Sequence, residues 1–83
     1  ENIIQEKEKW VSIEKNAFFQ LPDGARFIIL NLSLQRLGMQ NMLKRAHLEK
    51  IDALKERGGT IKISTGTIYI GENIFIYRDD YLQ

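Results

Sequence analysis

An alternation of isoleucine with other residues runs through the last third of the chain and constrains the fold more than any other feature. Three segments carry it: 60–64 (TIKIS), 67–70 (TIYI) and 74–77 (IFIY). A period of two is the period of a β-strand, in which successive side chains point to opposite faces of a sheet. The residues between the segments, 65–66 (TG) and 71–73 (GEN), have the composition of turns. The pattern therefore predicts three consecutive strands joined by tight turns.

The same alternation predicts that the two faces of these strands differ. One face would carry only isoleucines, namely Ile61, Ile63, Ile68, Ile70, Ile74 and Ile76. The other face would carry Lys62, Tyr69, Phe75 and Tyr77. Three aromatic side chains on one face are unusual for a surface left to water, and Tyr and Phe are enriched at protein interfaces. We therefore predict that these four residues bind a protein partner. Stacking of RNA bases on the rings, or coverage of the face by the N-terminal segment, would be the alternatives.

Residues 39–57 predict a long helix, because they are rich in good helix formers and contain no proline. Apolar residues recur there at helical spacing, namely Met39, Met42, Leu43, Ala46, Ala53 and Leu54, with Ile51 at the edge of the stripe. The opposite face holds Arg45, Glu49, Asp52 and Glu56, which is the composition of a solvated face. Gly58 follows the helix at a place where a left-handed residue is expected.

The first 38 residues are less regular. Residues 3–15 predict a helix, because apolar residues recur at seven-residue spacing, although the alternation at 11–13 also fits a strand. Residues 21–24 (LPDG) have the sequence of a turn. The continuous apolar run at 27–32 predicts a strand buried on both faces, after which Asn31 or Ser33 would cap the next helix.

These elements follow the order α-β-α-β-β-β and predict an α+β fold. We expect a two-layer sandwich in which the helices pack on one face of a mostly antiparallel sheet. Eighty-three residues suffice for one small domain, 1–83. Because the chain begins with Glu1 rather than Met, we expect it to be a piece of a longer protein.

The side chains that usually carry chemistry are sparse. There is no cysteine, and His47 is the one histidine, so neither a thiolate site nor a cluster of histidine ligands can form. We expect His47 to be structural, and the acidic residues of the predicted helix to pair with the basic residues between them. Gly58 and Gly59 precede a strand rather than a helix, so they do not predict a phosphate-binding loop. The sequence therefore predicts neither an enzyme nor a cofactor or metal site.

A formal net charge of +1 does not favour binding to nucleic acid. A small nucleic-acid-binding domain is the alternative reading. It would use either the aromatic face or the basic residues near the helices, namely Arg36, Lys44, Lys55 and Arg57. No apolar run reaches the length of a membrane span and no signal segment is visible, so we expect a cytoplasmic protein.

Two resemblances to known families point in the same direction. The segments DGARFIILNL, the helix to Arg57, GGTIKI and NIFI resemble the core of the SepF-type cell-division proteins. The stretch from FIILNLS to ERGGTIKIS is similar to the middle of a STAS domain. Both resemblances imply a non-enzymatic domain that acts through partners, and the first also implies dimerisation. We therefore predict a protein-interaction or adaptor domain that forms a homodimer, binds a further unidentified protein and has a role in cell division.

Overall fold

Five strands form one sheet: β1 (Ile4–Glu6), β2 (Trp10–Glu14), β3 (Gly59–Ile63), β4 (Gly66–Ile70) and β5 (Asn73–Arg78). The computed structural model describes residues 4–6, 9–39, 43–63 and 65–80. Across the sheet the order is β1-β2-β5-β4-β3, and every neighbouring pair is antiparallel. Three helices, α1 (Lys15–Gln20), α2 (Asp23–Arg36) and α3 (Arg45–Ala53), lie between β2 and β3 in the chain. The predicted α+β class, with helices on one face of an antiparallel sheet, is confirmed.

The three C-terminal strands form as the alternation predicts. All six of their isoleucines are buried. They form one layer because neighbouring strands align Ile61 with Ile68, and Ile68 with Ile76. Fully burying an isoleucine side chain contributes about 1.5–3 kcal/mol, so this layer is a large part of the core. The helices and the residues that flank them cover it with further buried residues, namely Phe18, Leu30, Leu34, Leu37, Leu43 and Ile51.

The prediction of a helix at residues 3–15 is wrong wherever the structure describes this segment. Residues 4–6 and 10–14 are strands, and β2 pairs with β5 in the centre of the sheet. Val11 and Ile13 are buried because they lie beside Ile76 and Ile74 in the isoleucine layer. The alternation at 11–13 was the correct signal, and the seven-residue spacing was not. The observed order of elements is therefore β-β-α-α-α-β-β-β.

The predicted turn at 21–24 and the predicted strand at 27–32 are also wrong, because both lie at or within α2. Pro22 is the N-cap, and its φ of −62° suits the start of a helix. The carboxylate of Asp23, in the first turn, interacts favourably with the partial positive charge at the N-terminal end of the helix. Gly38 ends the helix in a left-handed conformation, at a φ of 76°. Its N–H donates to Gln35 O at 3.0 Å, and Met39 N–H donates to Leu34 O at 2.9 Å. This pair of hydrogen bonds is the Schellman motif.

The third helix is shorter than predicted, beginning at Arg45 and ending at Ala53. Residues 40–42, including Met42 of the predicted stripe, lie outside the described residues. Two alanines of that stripe, Ala46 and Ala53, are exposed, so the stripe is wrong at those positions. The predicted left-handed conformation of Gly58 is confirmed by its φ of 77°, although four residues separate it from the end of α3.

Arg26 connects all three helices. Its Nε donates to Leu21 O at 2.8 Å, and its guanidinium pairs with Asp52 of α3 at 3.0 Å. The same group lies 6.0 Å and 5.7 Å from the ring centroids of Phe18 and Phe19 in α1, which is within cation–π range. Arg26 therefore ties the three helices together.

Candidate functional site: the outer face of the sheet

The face of the sheet opposite the helices is built from two rows of side chains that run across the strands. We call it the outer face. The strand register aligns Ser12, Phe75, Tyr69 and Thr60 in the first row. It aligns Trp10, Tyr77, Thr67 and Lys62 in the second row. In the part of the chain that the structure describes, all three helices contribute to the core beneath the opposite face.

Three aromatic rings form a cluster at the centre of the outer face. The centroid of Phe75 lies 5.4 Å from that of Trp10 and 5.4 Å from that of Tyr77, and the rings are tilted by 37° and 40°. Each ring is half-buried. Rings at this separation attract each other beyond the effect of area burial. Because β5 is the middle strand of the sheet, the cluster is central rather than peripheral.

Tyr69 extends the aromatic surface onto β4 and is 46% exposed. Its ring lies across Gly71, where a β-carbon would come within 2.6 Å of Tyr69 Cε2. The absence of a side chain at Gly71 therefore leaves room for the Tyr69 ring. The outer face is a broad apolar surface on which this ring is exposed.

The charged groups beside the cluster are paired within the chain. Lys62 Nζ contacts Asp79 Oδ2, and Lys9 Nζ lies 4.0 Å from Asp80 Oδ2. Arg78 Nη2 also donates to Asp80 Oδ2, at 3.2 Å. Asp79 thus neutralises Lys62 on the outer face, whereas Asp80 is shared between Lys9 and Arg78, whose Nη1 donates to Leu37 O in the helical layer. The centre of the outer face is apolar, and the lysine of its second row is paired within the chain.

The four residues predicted from sequence, Lys62, Tyr69, Phe75 and Tyr77, all lie on the outer face. Their role as partner-binding residues stays a prediction. Sequence reasoning missed Trp10, because residues 3–15 were interpreted as a helix. Its signal was the alternation of residues 10–14 (WVSIE), which places Trp10 and Ser12 on the face opposite Val11 and Ile13.

The other candidate residues do not converge on the outer face. His47 is half-buried in α3, where its Nδ1 accepts the N–H of Lys44 at 3.0 Å and so caps the helix. Asp52 pairs with Arg26 of α2, a partner outside the helix in which the sequence predicted its ion pairs. Among the described residues no group of His, Asp and Glu side chains could hold a metal ion.

The basic residues of the alternative prediction are spread around the helical layer. Arg36 lies in the last turn of α2, and Lys44 is the N-cap of α3. Lys55 and Arg57 follow the other end of α3 and are exposed. These four residues therefore do not form one continuous stripe.

A second apolar surface lies on α2. Ile28 and Leu32 are 58% and 55% exposed there, respectively. Beside them a cleft of about 500 Å³ separates α2 from Ile4 of the edge strand β1. This surface is distinct from the outer face, since Leu32 belongs to the helical layer, and it provides a matched control for the outer face.

No protein-family model, curated protein or solved structure matches this chain. None of the helices formed by the described residues combines the length and apolarity that a membrane span requires.

Proposed function

We propose that this chain is a non-catalytic protein-interaction domain that self-associates through the outer face of its sheet. The observation that carries the proposal is the cluster of Trp10, Phe75 and Tyr77 at the centre of a face whose rim is polar. Specific protein interfaces have this anatomy. Their energy is concentrated in central aromatic residues, and a polar rim excludes water around them.

The shape of the outer face supports a macromolecular partner. Small-molecule sites are concave and enclose most of their ligand, whereas a sheet face offers a broad contact surface. A second copy of the chain is the simplest partner, because two-fold dimers are the commonest oligomers. The formal net charge of +1 produces little repulsion between two copies. A further protein partner, and an adaptor role, would use the same kind of contact.

Nucleic-acid binding is the second candidate function. The observation in its favour is the ring cluster itself, because sheets that bind single-stranded RNA stack bases on exposed aromatic rings. Such sites also need cations for the phosphates. Lys62, the lysine in the second row of the outer face, is already paired with Asp79. We therefore favour a protein partner.

The two family resemblances add little to this proposal. Both rest in part on residues 27–32 forming a strand, and these residues belong to α2. A role in cell division, which the SepF-type resemblance implies, stays a hypothesis, and we build no argument on it.

Sedimentation equilibrium of the wild type and two matched variants tests the proposal. Tyr69→Ala removes a half-exposed ring from the outer face, and Leu32→Ala removes a half-exposed side chain from α2. We expect a wild-type dimer and an increase in Kd of about tenfold or more for Tyr69→Ala, as for interface aromatics. Leu32→Ala should change Kd by less than about twofold, as expected outside an interface.

Two results would contradict the proposal. One is a wild type that stays monomeric at several hundred micromolar, a concentration at which even a weak specific dimer, with a Kd of roughly 10–100 µM, forms. The other is a dimer that Leu32→Ala dissociates and Tyr69→Ala does not. Titration with single-stranded RNA at physiological salt tests the second candidate function in the same samples.

A further inference from the structure

Large and small side chains alternate across the outer face in a way that makes the face complementary to itself. In the first row the small Ser12 of β2 and the large Tyr69 of β4 flank Phe75. In the second row the order is reversed, since the large Trp10 of β2 and the smaller Thr67 of β4 flank Tyr77. Strands β2 and β4 are both neighbours of β5, so these positions lie at equal distances from the central strand.

Consider two copies whose outer faces are in contact, with a two-fold axis between the sheets and parallel to β5. This axis places β2 of one copy opposite β4 of the other, and each row of one copy opposite the same row of the other. We infer that two copies of this chain pack outer face to outer face about such an axis, with Tyr69 of each copy over Ser12 of the other and Trp10 of each copy over Thr67 of the other. This inference rests on the proposed function and specifies how the two copies recognise each other.

The packing geometry of sheets agrees with this arrangement. Stacked sheets lie about 10 Å apart with their strands within about 30° of each other, so the axis needs only a small tilt from β5. A large residue then fills the space above a small one at two places on each copy. Phe75 and Tyr77 meet their own counterparts close to the axis, where ring–ring contacts are favourable.

The other in-plane two-fold axis runs perpendicular to the strands, and its fit depends on which rows it exchanges. If it passes through the first row, it places Tyr69 over Tyr69 and exchanges the second row with the row of Glu14 and Asn73. The apolar ring of Trp10 would then cover the carboxylate of Glu14, which accepts the N–H of Ala17 at the start of α1 and would lose its water. If the axis lies midway between the two rows, it places Tyr69 over Thr67 and Trp10 over Ser12, a fit of the same kind, and this arrangement brings no residue 12 over residue 69.

The area and the charge of the outer face suit a weak dimer. Five strands span about 19 Å and five residues span about 17 Å, so with side chains two copies would bury on the order of 1,000 Å² in total. This is the lower end for specific interfaces, the size class of weak and transient contacts. An ion pair with Asp79 within each copy neutralises Lys62, the lysine of the second row.

Cysteine cross-linking tests the arrangement directly, because the chain has no cysteine of its own. Separate Ser12→Cys and Tyr69→Cys chains are mixed and treated with a short bis-maleimide. We expect cross-linked dimers in the mixture and few in either variant alone. Cross-linking within the single-variant samples would demonstrate the perpendicular axis and overturn the inference. A dimer seen by sedimentation without a 12–69 cross-link would overturn it as well, while the proposed function would stand. A monomeric wild type would overturn both.

A size exchange provides a second, independent test. Ser12→Tyr fills the space above residue 12, which the Tyr69 ring of the other copy occupies in the proposed dimer. Tyr69→Ser removes that ring. Each change alone should therefore raise the Kd of the dimer about tenfold. The double variant restores one large and one small residue at the contact, and its Kd should return to within about threefold of the wild-type value. In one chain β5 lies between these positions, which keeps their backbones about 10 Å apart. If the Kd of the double variant rises about a hundredfold, the free-energy effects of the two substitutions are additive. Residues 12 and 69 would then not contact each other across the interface, and the inferred arrangement would be wrong. Circular dichroism confirms that each variant is folded.

Discussion

Gly58 lies between α3 and β3 at a φ of 77°, a left-handed conformation that residues with a β-carbon rarely adopt. A β-carbon at this position would also come within 2.8 Å of the carbonyl oxygen of Ile70. We expect Gly58→Ala to lower the free energy of unfolding by about 1–3 kcal/mol, and by more if the backbone cannot shift away from Ile70. Urea unfolding followed by far-ultraviolet circular dichroism measures the change.

Gly24 provides the control for this substitution. It lies in the first turn of α2, and a β-carbon there would have no atom within 4 Å. Because alanine restricts the unfolded chain and favours the helix, Gly24→Ala should raise the free energy of unfolding by about 0.4–1 kcal/mol. Equal effects at the two glycines would show that the backbone conformation of Gly58 has no special importance.

The environment of single residues could be predicted where local periodicity was strong. The six isoleucines were predicted to be buried because their alternation extends over three segments, and all six are. Trp10 was placed on a helix, because the same short segment fits a seven-residue spacing and a two-residue spacing. Its position on the outer face depends on the pairing of β2 with β5, which aligns Trp10 with Tyr77. A pairing between residues so far apart in the sequence cannot be read from a local pattern.

Asn31 of α2 makes a hydrogen bond to the segment that precedes α3. Its Oδ1 accepts the N–H of Leu43 at 2.9 Å, and its Nδ2 donates to Phe27 O at 3.0 Å. Leu43 is buried, so its N–H has little access to water. We expect Asn31→Ala to lower the free energy of unfolding by about 1–3 kcal/mol, because that N–H loses its acceptor.

Asn31→Asp is the matched comparison, because it keeps an acceptor oxygen in the same place. Hydrogen exchange at Leu43 distinguishes a local effect from a general one. Its amide should exchange much faster in Asn31→Ala and remain protected in Asn31→Asp. Unchanged protection of Leu43 in the alanine variant would show that this hydrogen bond does not hold the two helices together.

Whole elements were predicted less well than faces of strands. The run of apolar residues at 27–30 (FIIL) was interpreted as a buried strand, but it occupies successive sides of α2. It buries Leu30 and leaves Ile28 exposed. Short apolar runs do not distinguish a buried strand from a helix. The boundaries of α2 were nevertheless present in the sequence as Pro22 and Gly38, the combination that commonly begins and ends a helix.

At the scale of the whole molecule, the central strand pair joins the two ends of the chain. Strand β2 (Trp10–Glu14) pairs with β5 (Asn73–Arg78) across the entire helical segment. The sequence predicted a sheet with an aromatic outer face, but not that a strand near the N-terminus would widen it and add Trp10. Pairings between segments so far apart depend on the packing of the complete core, so they could not be derived from spacing along the chain.

The chemistry of the outer face also predicts how self-association should respond to salt. The rings at its centre are uncharged, and Lys62 in its second row is paired with Asp79 within each copy. Salt screens interactions between exposed charges and has little effect on apolar contacts, so raising sodium chloride from 50 to 500 mM should change the Kd of the dimer by less than about threefold. Sedimentation equilibrium across this range measures it. Binding to nucleic acid through several phosphates would instead weaken by orders of magnitude. A dimer Kd that rises tenfold or more with salt would show that charged groups hold the two copies together, and the aromatic face would then not be the interface.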